Sequence, residues 1–463
     1  MHNNNIITAI STPAGVGGIA IVRLSGKGCI ELTDSVFQST VGKKLSEQKA
    51  NTVHFGLIKE GDSILDEVLV TIFKTPHSFT GEDVVEISCH GSSFIQQNIL
   101  RLLISKGAIL AQPGEFTQRA FLNGKMDLSQ AESVADLIAS SSSATHRLAM
   151  NQMRGGFSNK LMELRTDLLN FTSLIELELD FSEEDVEFAN RERLKEAVYN
   201  IEQHIRQLAE SFSVGNAIKN GIPVAIVGET NAGKSTLLNL LLHEDKAIVS
   251  DIHGTTRDVI EDTINIQGLI FRLIDTAGIR DTVDEIESIG IERTFKKIDQ
   301  ASIVLWIVDA GTTNEHIEDM AQKVLPVIDK QKLILVFNKV DTISVERKVE
   351  KENPLKNQVP ERVFISAKYG DGTKELENKL IEIANVPEIS EQDVIITNMR
   401  HYEALRNALS AIQRVLEGLD LQISGDFLAQ DIRECMYYLG EITGQISTNE
   451  ILGNIFGKFC IGK

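Results

Sequence analysis

Gly228-Glu229-Thr230-Asn231-Ala232-Gly233-Lys234-Ser235 fits the Gly-x-x-x-x-Gly-Lys-Ser/Thr pattern of a phosphate-binding loop, and its flanks are the ones that pattern requires. The apolar, β-branched run Ile222 to Val227 precedes it as a strand, and Thr236-Leu237-Leu238-Asn239-Leu240-Leu241-Leu242 follows as a helix. In a strand-loop-helix of this kind the loop N–H groups and the helix N-terminus wrap phosphates. Lys234 reaches the outer phosphates and the Ser235 hydroxyl ligates Mg2+. A chance glycine-rich turn would need neither flank.

Three further segments follow in the order a GTP-binding domain requires. Phe271-Arg272-Leu273-Ile274 reads as a strand delivering Asp275-Thr276-Ala277-Gly278, where a carboxylate can hold Mg2+ through water and a glycine N–H can sense the γ-phosphate. The strand Leu333 to Phe337 ends in Asn338-Lys339-Val340-Asp341, whose aspartate can accept hydrogen bonds from the ring N–H and exocyclic amine of guanine. Adenine presents the wrong donors there, which argues against an adenine-nucleotide enzyme. Val363-Phe364-Ile365 leads into Ser366-Ala367-Lys368, a backbone brace for the base. All four motifs fall at strand ends, where open parallel sheets bind ligands.

The chain has 463 residues, too many for one core, and about three domains are expected. Hydrophobic residues make up 42% and charged residues 24%, which excludes a disordered chain. The formal charge of −20 excludes diffuse basic attraction as the means of holding nucleic acid, so such contact needs a local patch or a partner. Cys29, Cys89, Cys435 and Cys460 stand far apart and suggest neither zinc nor a disulfide framework. No basic leader precedes the first apolar run and no apolar run spans a membrane, so the expected location is cytoplasmic.

The expected fold is multidomain α/β. Residues 1–122 read as a β-rich α+β domain with strands at Ile6–Ile10, Ile19–Leu24, Val68–Phe73 and Val84–Ser88 and one or two helices, including Phe94–Lys106. Gly15-x-Gly17 is followed by a strand where a dinucleotide fingerprint needs a helix, and Cys89-His90-Gly91 reads as packing and a turn. Residues 123–215 read as helices: Asp127 and Gln130 form a capping box ahead of the stripe Leu128, Ala131, Val134, Ala135, Ile138. A second stripe runs Leu161, Leu164, Leu168, Phe171, Ile175, Leu179; Glu183-Glu184-Asp185 breaks it, and another helix covers Leu194 to Ala209. Arg191, Arg193, His204 and Arg206 fit either a nucleic-acid contact or a solvated face. The parallel-sheet GTP-binding domain occupies 216–384. Residues 385–463 return to helix, with the stripe Leu428, Ile432, Cys435, Leu439, Ile442 and a capping box at Ser447-Thr448-Asn449-Glu450. Stripes on both sides of an insertion need a common partner, so a discontinuous all-α domain interrupted by the P-loop GTPase domain is expected.

The GTP motifs, Gly254-Thr255-Thr256-Arg257-Asp258, Pro113-Gly114-Glu115-Phe116-Thr117-Gln118-Arg119-Ala120-Phe121-Leu122-Asn123 and the terminal Cys460-Ile461-Gly462-Lys463 together resemble the MnmE/TrmE tRNA-modification GTPases over essentially the whole chain. The resemblance implies a folate-binding, dimerising N-terminal domain. It also implies a homodimer acting with an FAD-dependent MnmG/GidA-type partner, in a heterotetrameric or larger complex, on carbon 5 of the wobble uridine of certain tRNAs. The one-carbon unit would come from a 5-formyl- or methylene-tetrahydrofolate. A regulatory ribosome-assembly or RNA-binding switch without modification chemistry is the rival.

Residue by residue, the resemblance implies GTP binding by Asn231, Ala232, Gly233, Lys234, Ser235, Thr236, Ser250, Thr255, Thr256, Asp275, Thr276, Ala277, Gly278, Asn338, Lys339, Asp341, Ser366, Ala367 and Lys368. It implies Mg2+ on Ser235 and Thr256, K+ on Asn231, Ser250, Ile252 and Thr255, and folate on Arg23, Glu86, Lys125 and Lys463. Ile279 follows Asp275-Thr276-Ala277-Gly278 where many GTPases place a water-orienting glutamine, and the family gives that work to a glutamate matching Glu287. With Lys234, Glu287 is the catalytic candidate; it also fits an ordinary exposed acid. K+ would replace an arginine finger, for which Arg257 is the alternative, and Cys460 is either a modification-chemistry residue or a packed thiol.

Overall fold

The computed structural model describes residues 5–180, 191–245, 262–274, 301–328, 332–351, 355, 357–387, 393–446, 449–457, 459 and 461–462. The chain divides into two compact units, one formed by Met1–Ala139, Ala149–Ile205 and Glu403–Lys463, the other by Ser140–Leu148 and Arg206–Tyr402.

In the first unit the strands β1 (Ile7–Ile10), β2 (Gly17–Ser25), β3 (Phe37–Ser39), β4 (Thr52–Glu60), β5 (Ser63–Phe73), β6 (Val84–Gly91) and β7 (Ile109–Leu110) form one sheet in the order β3-β4-β5-β6-β2-β1-β7. Every pairing is antiparallel except β1 with β7. The alternation is that of a sheet with one dry face. On β5 the side chains of Val68, Val70 and Ile72 are buried with Ile99, Leu102 and Leu103 of the helix Ser93–Ser105, while Leu69 between them is exposed. Three helices, Cys29–Asp34, Ser93–Ser105 and Glu115–Leu122, stand where one or two were expected. Cys89-His90-Gly91 is strand rather than turn, because Gly91 pairs with Gly17 across β2 so closely that a Cβ on it would lie 2.3 Å from the Gly17 carbonyl oxygen. Cys89 is buried, and that burial pushes its thiol up to about 11.

The capping box is formed as its residues predict: Gln130 N donates to Asp127 Oδ1 at 2.9 Å and Asp127 N donates to Gln130 Oε1 at 2.9 Å, opening the helix Leu128–Ala139. Leu128 and Ala131 pack on Leu452, Phe456 and Phe459, but Ile138 is 49% exposed. Its covering partners reach only the first turns of that helix, so the stripe loses its cover before it ends. The helix Gly156–Asp180 buries Leu161, Leu164, Leu168, Phe171 and Ile175 and packs on Gly425–Thr443, whose Leu428, Ile432, Cys435, Leu439 and Ile442 are all buried. Glu202 on the helix Arg191–Glu210 accepts from Gln413 on Met399–Asp420, at 3.3 Å. The expectations at the Leu179 side chain, at 183–185 and at the cap 447–448 fall outside the described residues. Among the described residues no helix is long and apolar enough to cross a membrane.

The second unit is built on β8 (Ile222–Gly228), β9 (Asp262–Ile266), β10 (Leu269–Leu273), β11 (Ile303–Asp309), β12 (Leu333–Asn338) and β13 (Arg362–Phe364), in the order β13-β12-β11-β8-β10-β9. All neighbours run parallel except the edge pair β9 and β10. Both faces are covered, so β11 and β12 read as continuous apolar runs rather than alternating ones. Ile303, Leu305 and Ile307 pack with Leu237, Leu238 and Leu241 of the helix Lys234–Asp245 and with Leu376 and Leu380 of Thr373–Ala384. Val304, Trp306 and Val308 pack on the other face with Ile317 and Ala321 of Asn314–Val324. Interdigitation on both sides fixes the carboxyl ends of β8, β11, β12 and β13 as one edge. The described motifs, at 228–235, 338–341 and 366–368, sit on that edge.

Candidate guanine-nucleotide site

The loop after β8 needs its glycines for two separate reasons. Gly228 has φ +150, and a Cβ there would lie 2.3 Å from the Ile307 carbonyl oxygen on β11. Gly233 has φ +97, and its Cβ would stand 2.1 Å from Asn338 Nδ2. Between them Asn231 adopts a left-handed φ of 64°, so the loop curls back on itself, with Ala232 N donating to the Glu229 carbonyl at 3.3 Å just before the helix that starts at Lys234. That end carries the helix's partial positive charge. The Lys234 ammonium donates to the carbonyls of Gly228 at 2.8 Å and Glu229 at 2.7 Å, across the mouth of the loop. Ser235 and Thr236 follow in the first helical turn. The loop N–H groups, the helix end and Lys234 together make a site for a polyanion, and the Ser235 hydroxyl suits a Mg2+ that accompanies phosphates.

Asn338, at the end of β12 and only 2% exposed, ties three motifs together. Its Nδ2 donates to the Ala232 carbonyl at 2.8 Å; its Oδ1 accepts from Lys339 N at 2.8 Å and from Ala367 N at 2.9 Å. A short amide with one donor end and one acceptor end is the side chain that can brace a carbonyl on one side and two N–H groups on the other. Asp341 is joined to the same frame, its Oδ1 accepting from the Ser366 hydroxyl at 2.6 Å. Ser366 N in turn donates to the Asp371 carbonyl at 2.9 Å, and the Lys368 ammonium lies 5.0 Å from the Tyr369 ring centroid. The structure thus brings together Asn231, Ala232, Gly233, Lys234, Ser235, Thr236, Asn338, Lys339, Asp341, Ser366, Ala367 and Lys368.

Ile274 N donates to the Val224 carbonyl at 2.9 Å, so the chain is fixed beside β8 up to the residue before Asp275. Ser250, Ile252, Thr255, Thr256, Asp275, Thr276, Ala277, Gly278 and Glu287 lie outside the described residues.

Two pairs at this edge join a motif residue to one outside the motifs. Asp309, ending β11, accepts from Lys339 Nζ at 2.8 Å and from Gly311 N at 2.9 Å. Burial raises the pKa of its carboxyl, but these two hydrogen bonds outweigh burial and hold it below the usual range. His316 Nε2 lies 2.8 Å from Glu229 Oε1, linking the loop to the helix Asn314–Val324. The signal available in the sequence for Asp309 was its place as the polar residue that ends an apolar strand.

In the first unit Arg23 and Glu86 are cross-strand partners on β2 and β6, with Arg23 Nη2 at 2.7 Å and Nε at 2.9 Å from Glu86 Oε1. The guanidinium lies 5.9 Å from the Phe79 centroid and 5.7 Å from that of Phe116, so aromatic and ionic contacts set its direction together. Lys125 Nζ donates to the Pro76 carbonyl at 3.0 Å, on the loop that also carries Phe79. Gly462, at φ +96, accepts through its carbonyl from the Ser11 hydroxyl at 3.0 Å, and a Cβ on it would meet the Ile10 carbonyl oxygen at 2.4 Å. Cys460 and Lys463, on either side of Ile461-Gly462, lie outside the described residues.

In the sequence the segment Pro113 to Asn123 is only a family signature, whereas the structure gives its residues work. Arg119, 7% exposed, pairs with Glu82 at 3.0 Å and Glu115 at 2.9 Å and donates to the Asn5 carbonyl at 3.0 Å. Gly114, at φ +67, lets Phe456 and Phe459 approach.

Family models match in two stretches: the GTP-binding protein TrmE N-terminus over residues 6–125 and the MnmE helical domain over 128–460. The tRNA modification GTPase MnmE of Bacteroides thetaiotaomicron is 60% identical over 465 residues, covering 100% of both chains. The protein of that name from Parabacteroides distasonis is 56% identical over 99% of each, and that from Flavobacterium johnsoniae 52% over 100% of each. With such identity sustained from end to end, the chain belongs to the MnmE/TrmE family of tRNA modification GTPases.

Proposed function

We propose that this chain hydrolyses GTP as a conformational step in the modification of carbon 5 of a tRNA wobble uridine. The observation that carries the GTPase assignment is the Asn338 hub, which makes the phosphate loop, the guanine-reading segment and the base brace one rigid frame. The tRNA role rests on family membership.

In this mechanism the loop N–H groups and Lys234 bind the phosphates, and Asp341 accepts from guanine. Ser235 and Thr256 hold Mg2+, which supplies charge neutralisation at the phosphates when bound. Asn231, Ser250, Ile252 and Thr255 hold K+, which supplies the positive charge of an arginine finger. Asn231 fits this role because its left-handed position lies within the loop. Glu287 orients the attacking water in place of the missing glutamine. Arg23, Glu86, Lys125 and Lys463 hold a reduced folate, a reading supported by the arginine fixed between two rings beside a carboxylate, which suits a ligand with an aromatic body and acidic tail. Cys460 is the candidate residue for the modification chemistry. The domains run 1–122, 123–215, 216–384 and 385–463. The protein works in the cytoplasm as a homodimer with an FAD-dependent MnmG/GidA-type partner.

Asp341→Asn tests the guanine assignment. The variant loses an acceptor pair for guanine and gains a donor suited to the position-2 carbonyl of xanthine. GDP affinity is expected to fall by roughly 10^2 while XDP affinity rises. Unchanged preference for guanine contradicts the assignment.

A further inference from the structure

We propose that Asp309 is a positioning residue for guanine-nucleotide binding, acting through Lys339; this rests on the guanine assignment above. Asp309 and Asn338 are register partners at the ends of the parallel strands β11 and β12, and Ala310 N donates to the Asn338 carbonyl at 2.8 Å. Immediately beyond, Lys339 takes a left-handed φ of 64°, which turns the chain out of the sheet. Its side chain nevertheless comes back to β11, where the ammonium meets Asp309 Oδ2 at 2.8 Å. A free lysine stem samples many rotamers, and this pair selects one that lies along the strand ends next to the Asn338 frame.

Most ion pairs this exposed, about one third on each side, contribute little because ordering two long side chains costs as much as the attraction returns. Asp309 differs in being ordered beforehand. Its other oxygen is held by Gly311 N at 2.9 Å, and a Cβ on Gly311 would stand 3.2 Å from that oxygen. Only the lysine then has to be fixed. Against the opposing effect of burial, the two hydrogen bonds hold the Asp309 carboxyl below its usual range and so favour the charged acceptor that Lys339 meets. The chain therefore holds Lys339 in place before a base arrives, and the nucleotide need not order it.

The experiment uses the full-length chain and the variants Asp309→Ala, Asp309→Asn, Lys339→Met and Asp309→Ala with Lys339→Met. Fluorescent GDP affinity, KM and kcat for GTP and the unfolding midpoint without nucleotide are measured for each. Asp309→Ala is expected to raise the GDP Kd and the GTP KM roughly fivefold to tenfold, with kcat within about twofold of the parent. Asp309→Asn, which keeps an acceptor and the side-chain shape, recovers part of the loss and covers the case in which the alanine variant fails to fold. In the Lys339→Met background the Asp309 change adds nothing. Unchanged Kd in Asp309→Ala, or full additivity with Lys339→Met, overturns the inference while leaving the guanine assignment in place. A parent chain that binds no GDP overturns that assignment, and the inference with it.

Discussion

Replacing Asn338 by aspartate changes one atom of the hub. The new side chain keeps an oxygen to accept from Lys339 N and Ala367 N, so the brace to Ser366-Ala367-Lys368 survives. The Nδ2 that donated to the Ala232 carbonyl at 2.8 Å becomes a second oxygen facing that carbonyl. At 2% exposure water cannot take its place. One buried hydrogen bond is lost and replaced by oxygen-oxygen repulsion, or the carboxyl binds a proton and is held neutral. Either route costs about 2–4 kcal/mol, from an unsatisfied buried acceptor of about 1–3 kcal/mol and the desolvation of a charge. Because the strain pulls the phosphate loop away from the guanine segment, most of it should appear in nucleotide affinity: GDP should bind roughly 30-fold to 10^3-fold more weakly. Titration of the full-length variant with fluorescent GDP measures this, with urea unfolding of the nucleotide-free protein alongside. An Asn338→Asp protein that binds GDP within about twofold of the parent would refute the claim that Asn338 ties the loop to the base brace.

Arg119→Ala leaves Glu82 and Glu115 facing a gap in a nearly buried site, and Glu115 is only 13% exposed. Destabilisation of about 3 kcal/mol is expected in the unfolding transition of the first unit, with GTP turnover unchanged; thermal unfolding of the full chain checks it, and Arg119→Lys should recover part. Asp127→Ala removes the acceptor for Gln130 N and frees the Asp127–Gln130 exchange, for a loss of about 1 kcal/mol in the same transition by urea titration.

The phosphate loop was legible because its signal is local: glycines at forced positions, a strand before and a helix after, all within about twenty residues. Asn338 and Asp341 were legible as a motif, yet the role of Asn338 as a strut was not. It depends on the Ala232 carbonyl, 106 positions away, being carried to the same sheet edge. Asp309 escaped for the same reason, since its partner Lys339 lies 30 positions on and they meet only because β11 and β12 are parallel and in register. Periodicity predicted the described members of the stripes of Gly156–Asp180 and Gly425–Thr443 well, from Leu161 to Ile175 and from Leu428 to Ile442, because a partner helix covers each of them. It misjudged Ile138, whose exposure is decided by where a partner helix stops. It also misjudged Cys89-His90-Gly91, where glycine serves a close strand approach to Gly17 instead of a turn. Arg23 and Glu86 carry no local signal; only the β2–β6 register makes them a pair.

The most direct test of the account is GTP turnover by the full-length chain in K+ and in Na+ at matched ionic strength, with Mg2+ present and protein concentration varied, for the parent and Asn231→Ala. The account predicts GTP hydrolysis that is strongly faster in K+, rises with protein concentration and loses its K+ dependence in Asn231→Ala. Equal rates in the two salts would contradict potassium in the role of the arginine finger, and absence of turnover in both would contradict GTP hydrolysis itself.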